Sequence, residues 1–102
     1  MNRNFEVLHR EPTSAGVLLV AKRHILFVKE KSSGKWGLPK GSIQSNESKA
    51  GCWKRELTEE TQIDINHYPH RVIWSKTVDR YIIYTVILSI DDETFEKMKL
   101  QE

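Results

Sequence analysis

GSIQSNESKAGCWKRELTEETQI, residues 41–63, carries most of the chemistry legible in this chain. A helix turns about 100° and rises about 1.5 Å per residue, which brings Glu56, Glu59 and Glu60 within roughly a 100° arc on about one turn. Three carboxylates therefore share one face. Like charges this close raise one another's pKa, and the cluster is unfavourable unless something cationic sits among them. A hard divalent ion held by carboxylate oxygens answers that need, and Mg²⁺ keeps several waters in such sites, leaving room for phosphate oxygens. An adjacent stripe, Ala50, Trp53 and Leu57, supplies apolar contacts that would fix the helix to a sheet.

The flanking residues fit the same picture. Gly41 closes a Pro39-Lys40-Gly41 turn where the backbone bends and approaches a ligand, so that a side chain would be in the way. Arg55, rotated off the metal face, can reach back as a planar fork to Glu47 and pin the loop 42–45 over the helix start. An isolated Arg-Glu-Leu-x-Glu-Glu string is most often a solvated, salt-laced helix. Gly41 and Glu47 in register with it argue against that reading here.

Together Gly41, Glu47, Arg55, Glu56, Glu59 and Glu60 match the spacing G-x5-E-x7-R-E-U-x-E-E-x-G-U, with Leu57 and Ile63 as the bulky aliphatics U. Six specified letters match one starting point by accident on the order of once in ten million. The stretch resembles the Nudix box, the signature of hydrolases that cleave a nucleoside diphosphate linked to another group. Gln62 departs from the pattern, standing where the family has a glycine. That glycine ends the helix with φ > 0, a conformation costing other residues roughly 1 kcal/mol. The departure touches the helix end and not the ligands.

The resemblance implies a minimal α/β (α+β) Nudix fold, a mixed β-sheet packed between helices, with residues 1–102 as one domain. It implies hydrolysis of a phosphoanhydride bond with Mg²⁺ or Mn²⁺ held by Glu56, Glu59, Glu60 and the Gly41 carbonyl. Arg55 and Glu47 would form the supporting pair. The metal would offset charge on the phosphate oxygens and lower the pKa of a water for in-line attack. Glu56 is the candidate to take that water's proton, with Glu59 beside it; Asp79, Asp92 and Glu93 are the alternatives. Family members usually continue with a further strand and a longer C-terminal helix. Either this is a minimal version, or a homodimer partner covers the exposed sheet.

Composition narrows the rest. The chain has 102 residues, with 16 Lys and Arg against 14 Asp and Glu, a net +2 that excludes neither nucleic acid nor small anions. One cysteine, Cys52, cannot form an internal disulfide, which points to a reducing compartment. It should be a small, partly buried thiol near the carboxylates, without a role of its own. No run of about 18 apolar residues exists and the N-terminus lacks a signal-peptide apolar region, so a soluble cytoplasmic protein without membrane contact is expected.

Along the chain, Phe5, Val7 and Leu8 suggest an edge strand or ordered arm. Residues 14–21, SAGVLLVA, have the continuous apolar pattern of a strand covered on both faces. Lys22-Arg23-His24 makes a corner into a second strand from Ile25 to Val28, forming a hairpin. KSSGK, residues 31–35, is a loop delivering Trp36 and Leu38 to the box. After the helix come a loop from Asp64 to Arg71, a strand from Val72 to Thr77 and a central one from Tyr81 to Ile90. His67 and His70 in that loop lack a second ligand pair and should be surface histidines. Asp92 or Thr94 would cap a closing helix over Phe95, Met98 and Leu100.

Lys22, Arg23, Lys29, Lys31, Lys35 and Lys40 precede the box with only Glu30 among them, a basic approach for polyphosphate. Lys40, Arg23 and Lys29 are the candidate phosphate contacts, and Trp36 is a candidate stacking platform, as are Trp74, Tyr81 and Tyr84. The lead-in WGLPKG is most similar to the mRNA-decapping and the dinucleoside or diphosphoinositol polyphosphate branches. Substrates expected from it are a dinucleoside polyphosphate, a nucleotide, or a capped or triphosphorylated RNA 5′ end. The alternatives are an inactive Nudix-like nucleotide- or RNA-binding module, or a subunit active only in a larger assembly.

Overall fold

A computed structural model describes residues 11–99. Strand β1, Ser14–Ala21, is the spine. On one side it pairs in parallel with β7, Tyr81–Leu88, in register from Ser14↔Tyr81 to Ala21↔Leu88. Its other edge is shared by two short antiparallel strands: β2, His24–Ile25, on the Val20–Ala21 end and β5, Lys40–Ser42, on the Ser14–Gly16 end. Strand β6, His70–Val78, returns antiparallel on the far side of β7. The sheet is thus mixed, in the order β2-β1-β7-β6, with β7 central as its apolar sequence requires.

Helix α1, Lys49–Thr61, covers one face. Alternation along the strands sends Ala15, Val17, Leu19, Ile82 and Val86 beneath it, against Cys52, Trp53 and Leu57. The Ser48 Oγ caps the start by accepting from the Gly51 N–H at 2.9 Å. At the other end Gln62 takes φ 65°, as the missing glycine implies, and its N–H reaches the Thr58 carbonyl. Ala50 does not join the apolar stripe: in the first turn it is exposed, and Cys52, fully buried, takes its place.

Three further expectations are corrected. The run from Ile25 to Val28 is not one strand. Leu26 donates its N–H to the Leu19 carbonyl and packs into the core. Beyond it, β3, Val28–Lys29, joins β4, Trp36–Gly37, in a separate two-stranded sheet. β1 is not sealed on both faces, for Leu18 and Val20 on the side away from α1 are only half-buried. The cap of α2, Asp92–Lys99, is Asp91, whose Oδ1 accepts from the Thr94 N–H at 2.7 Å.

Phe95 and Met98 of α2 pack on the core, whereas Leu100, like Phe5, Val7 and Leu8, lies outside the described residues. The loop from Asp64 contains a short 3-10 turn, Ile65–His67, seated by the buried Ile65. His67 is exposed beside Asp64, as expected, whereas His70 is half-buried, edge-on to Trp53, and so not the surface histidine expected. Among the described residues no helix is long and apolar enough to cross a membrane.

Leu57→Ala removes a fully buried side chain from the α1–sheet contact and should cost about 2–5 kcal/mol in urea unfolding. Gln62→Gly should raise stability by roughly 1 kcal/mol in the same assay, because glycine takes φ > 0 without the Cβ penalty.

Candidate functional site

The site is built where β5 meets α1. Gly41 pairs with Ala15, so its missing side chain faces the helix. A Cβ there would fall onto the Glu56 carboxylate. Gly41 is therefore a strand residue and not a turn residue, and a side chain there would push the Glu56 carboxylate out of its place.

Arg55 holds the neighbouring groups together. Its Nε donates to Glu47 Oε2 at 2.7 Å and its Nη2 to Glu47 Oε1 at 3.1 Å, the bidentate fork foreseen in the sequence. Nη2 also donates to the Ser42 carbonyl at 3.0 Å. Nη1 donates to Glu56 Oε1 at 2.9 Å and to Glu59 Oε2 at 3.0 Å. Arg55 is thus not turned off the acidic face; its long stem swings the guanidinium round to carboxylates one and four residues ahead. Glu47 also accepts from the Gln44 N–H at 3.0 Å, which ties down the loop before the helix.

The charges respond accordingly. Arg55, first through its bonds to Glu47, is held charged, and it draws Glu47 down from the usual 4.5 to about 2. Glu60 moves the other way, chiefly through burial and then through repulsion by Glu56 and Glu59. Its Oε2 accepts the Lys40 N–H at 2.9 Å, tying β5 to the last turn of the helix. Cys52, fully buried rather than partly, points its Sγ at the Gly41 and Ser42 carbonyls at 3.5 and 3.6 Å, and burial raises its thiol pKa. That supporting contact has no signature in the sequence.

The donor set suits a hard divalent ion: Glu47, Glu56, Glu59 and the Ser42 carbonyl surround the Arg55 guanidinium, and Glu60 sits on the adjoining Lys40 N–H. Among the described residues no three acidic, histidine or cysteine side chains converge on one point. Two of the glutamates are turned to Arg55 and Glu60 to a backbone N–H. In this arrangement Arg55 supplies the positive charge that the cluster requires.

Lys29 and Trp36 are brought to the site. They face each other across β3 and β4, with Lys29 Nζ 5.9 Å from the indole centre. With Glu59 and Glu60 they line a cavity of about 510 Å³ floored by Leu19, Ala21 and Leu88. Phe27 and Phe95 also line it; Phe27 is unmarked in the sequence because an aromatic inside a short apolar run looks like core, and Phe95 is marked there only as packing of the closing helix.

Lys40 and Arg23 lie elsewhere. Pairing with Gly16 sends the Lys40 side chain to the sheet face away from α1, where Nζ sits 5.0 Å from the Tyr81 ring. Arg23 occupies the β1–β2 turn at φ 66° and does not line the cavity. Of the alternative bases, Asp92 pairs with Lys22 and Glu93 with Lys97, while Asp79 forms the β6–β7 turn.

Fold and cluster together define an α/β domain whose acidic helix is locked against a glycine at the sheet edge. The family model for the NUDIX domain matches residues 7–98, and the chain belongs to this family. No curated protein matches it by sequence. Among solved structures it is similar to an Ap4A hydrolase of C. elegans, with TM-score 0.60 at 17% identity over 81% of this chain and 72% of that one. It is also similar to the E. coli dihydroneopterin triphosphate pyrophosphohydrolase, with TM-score 0.54 at 19% identity over 82% and 71%. A Francisella tularensis bifunctional NMN adenylyltransferase/ADP ribose pyrophosphatase, complexed with AMP and a Mn ion, gives TM-score 0.54 at 24% identity. This chain spans 28% of that protein, and 82% of its own length is covered. At these identities the likeness is one of fold.

Glu47 carries a testable sign. Because its folded pKa lies near 2 against an ordinary 4.5, its stabilising effect is complete above about pH 4.5 and is lost as pH falls toward 2. Glu47→Gln should lower the urea midpoint at pH 7 and flatten its fall between pH 4.5 and 2, measured by unfolding across a pH series.

Proposed function

We propose that the protein hydrolyses a phosphoanhydride bond in a nucleoside diphosphate-linked substrate, with Mg²⁺ or Mn²⁺ as cofactor and residues 1–102 acting as one catalytic domain. The observation that carries this reading is Gly41 lying open to the Glu56 carboxylate while Arg55 grips Glu47, Glu56 and Glu59. Glu56, Glu59, Glu60 and the Gly41 carbonyl would hold the cation. When bound, it would offset charge on the phosphate oxygens and acidify the attacking water.

The chain's own residues do the rest. Glu56 is largely buried, with its side chain 13% exposed, and Arg55 engages Oε1. Oε2 is left to take the water's proton at a fixed position. Glu47, by fixing the guanidinium, orients Glu56 indirectly. Lys29 would contact the phosphates and Trp36 would stack on a base at the cavity mouth. Lys40 and Arg23 are left out of this contact set by where their side chains lie. A dinucleoside polyphosphate or another nucleotide suits a cavity of about 510 Å³, and the nucleotide-related names of the structural neighbours are consistent with that class.

The test is a divalent-dependent hydrolysis panel of diadenosine polyphosphates, nucleotide sugars, dNTPs, diphosphoinositols and cap-labelled RNA, with products identified. Glu60→Gln should reduce turnover on the order of 100-fold, the scale of losing one preorganised charge-stabilising group. Turnover within a few-fold of the wild type would overturn the metal assignment.

A further inference from the structure

Only one face of the sheet is covered by the helices among the described residues; the other carries an unusual set of side chains. A register shift between Val72 and Trp74 adds a residue to β6. Unbroken alternation from Arg71 would send Ile73, Ser75 and Thr77 outward with it. The bulge instead aims Trp74 and Lys76 to the Arg71 side, opposite Thr85 and Ile83 of β7. Lys40 reaches the same face from β5, over the Tyr81 ring. Trp74 is 60% and Tyr81 41% exposed. Arg71 and Lys76 make no ion pair among the described residues. None of the five strands contains an Asp or Glu.

We propose that this outer face binds a single-stranded nucleic acid, its bases stacking on Trp74 and Tyr81 and its phosphates meeting Arg71, Lys76 and Lys40. Aromatic faces accept any base, and a cationic groove tracks the backbone, which together suit a single strand. From Arg71 to Val78 the strand runs roughly 20 Å at about 3.3 Å per residue, long enough for several nucleotides. A second copy of this chain is the poorer occupant, because stacking two such faces sets cations against cations. The platform also adjoins the acidic cluster: the Lys40 N–H bonds Glu60 while the Lys40 side chain belongs to the outer face. A strand end carried round the β5 edge would meet the cluster, a step that rests on the hydrolase reading; the binding itself does not.

The test is fluorescence anisotropy of a labelled short RNA, and of the DNA of the same sequence, with the full chain in EDTA over a range of salt. Binding of either strand, tighter than that of AMP, is expected. The double variant Arg71→Ala/Lys76→Ala should weaken it about tenfold or more and reduce the salt slope by about 1.4, the share of two phosphate contacts on a single strand. Trp74→Ala should weaken it about fivefold or more with the slope unchanged, and Trp74→Phe should restore it. An oligonucleotide bound no better than AMP, an unchanged salt slope in the double variant, or a dimer by light scattering that buries Trp74 would overturn the proposal. Oligonucleotide binding that persists while every substrate of the hydrolysis panel stays intact would support the platform and overturn the hydrolase reading.

Discussion

One guanidinium holds the site together. Arg55 directs hydrogen bonds to Glu47, Glu56, Glu59 and the Ser42 carbonyl, so a single cation orients the loop before the helix and two carboxylates on it. Without it, Glu47, Glu56 and Glu59 would face one another with their mutual repulsion uncompensated. A lysine at the same place would offer a point charge and could not hold so many acceptors in fixed directions. Glu47 and Glu60 shift in opposite directions, Glu47 downward through its bonds to Arg55 and Glu60 upward chiefly through burial. Glu47 receives two of the guanidinium's hydrogen bonds, while Glu60 is tied to a backbone N–H instead.

The second constraint is strand parity. Three residues of β5 serve both sides of the sheet: Gly41 turns its absent side chain to Glu56 and Lys40 turns its own to Tyr81. Parity also explains why α1 can be acidic on one side and fully buried on another, for Cys52, Trp53 and Leu57 meet the residues that β1 and β7 send to that face. Where β6 breaks parity, its aromatic and basic residues change sides. Local irregularity, not composition, therefore decides what the outer face displays.

Much of this was legible beforehand. The box residues, the Arg55–Glu47 fork and the central place of β7 follow from spacing and residue type, because each depends on neighbours within about two helical turns or on a strongly apolar run; the positive φ at Gln62 follows from the family resemblance, which puts a glycine there. The errors share another origin. Ile25 to Val28 looks like one strand, yet the core captures Leu26 and splits it. Lys40 looks like a phosphate contact by its place beside Gly41, yet pairing with Gly16 carries its side chain away.

The amino-acid order alone was enough for family membership and the acidic helix, since those rest on short-range spacing and charge. Three-dimensional packing was needed to bring Arg55 to Glu56 and Glu59, to put Lys29 and Trp36 in one cavity with Glu59 and Glu60, and to turn Lys40 to the opposite face. The reason is physical: strand register and bulges assign each side chain to a face, and register is set by pairing between segments far apart in the chain.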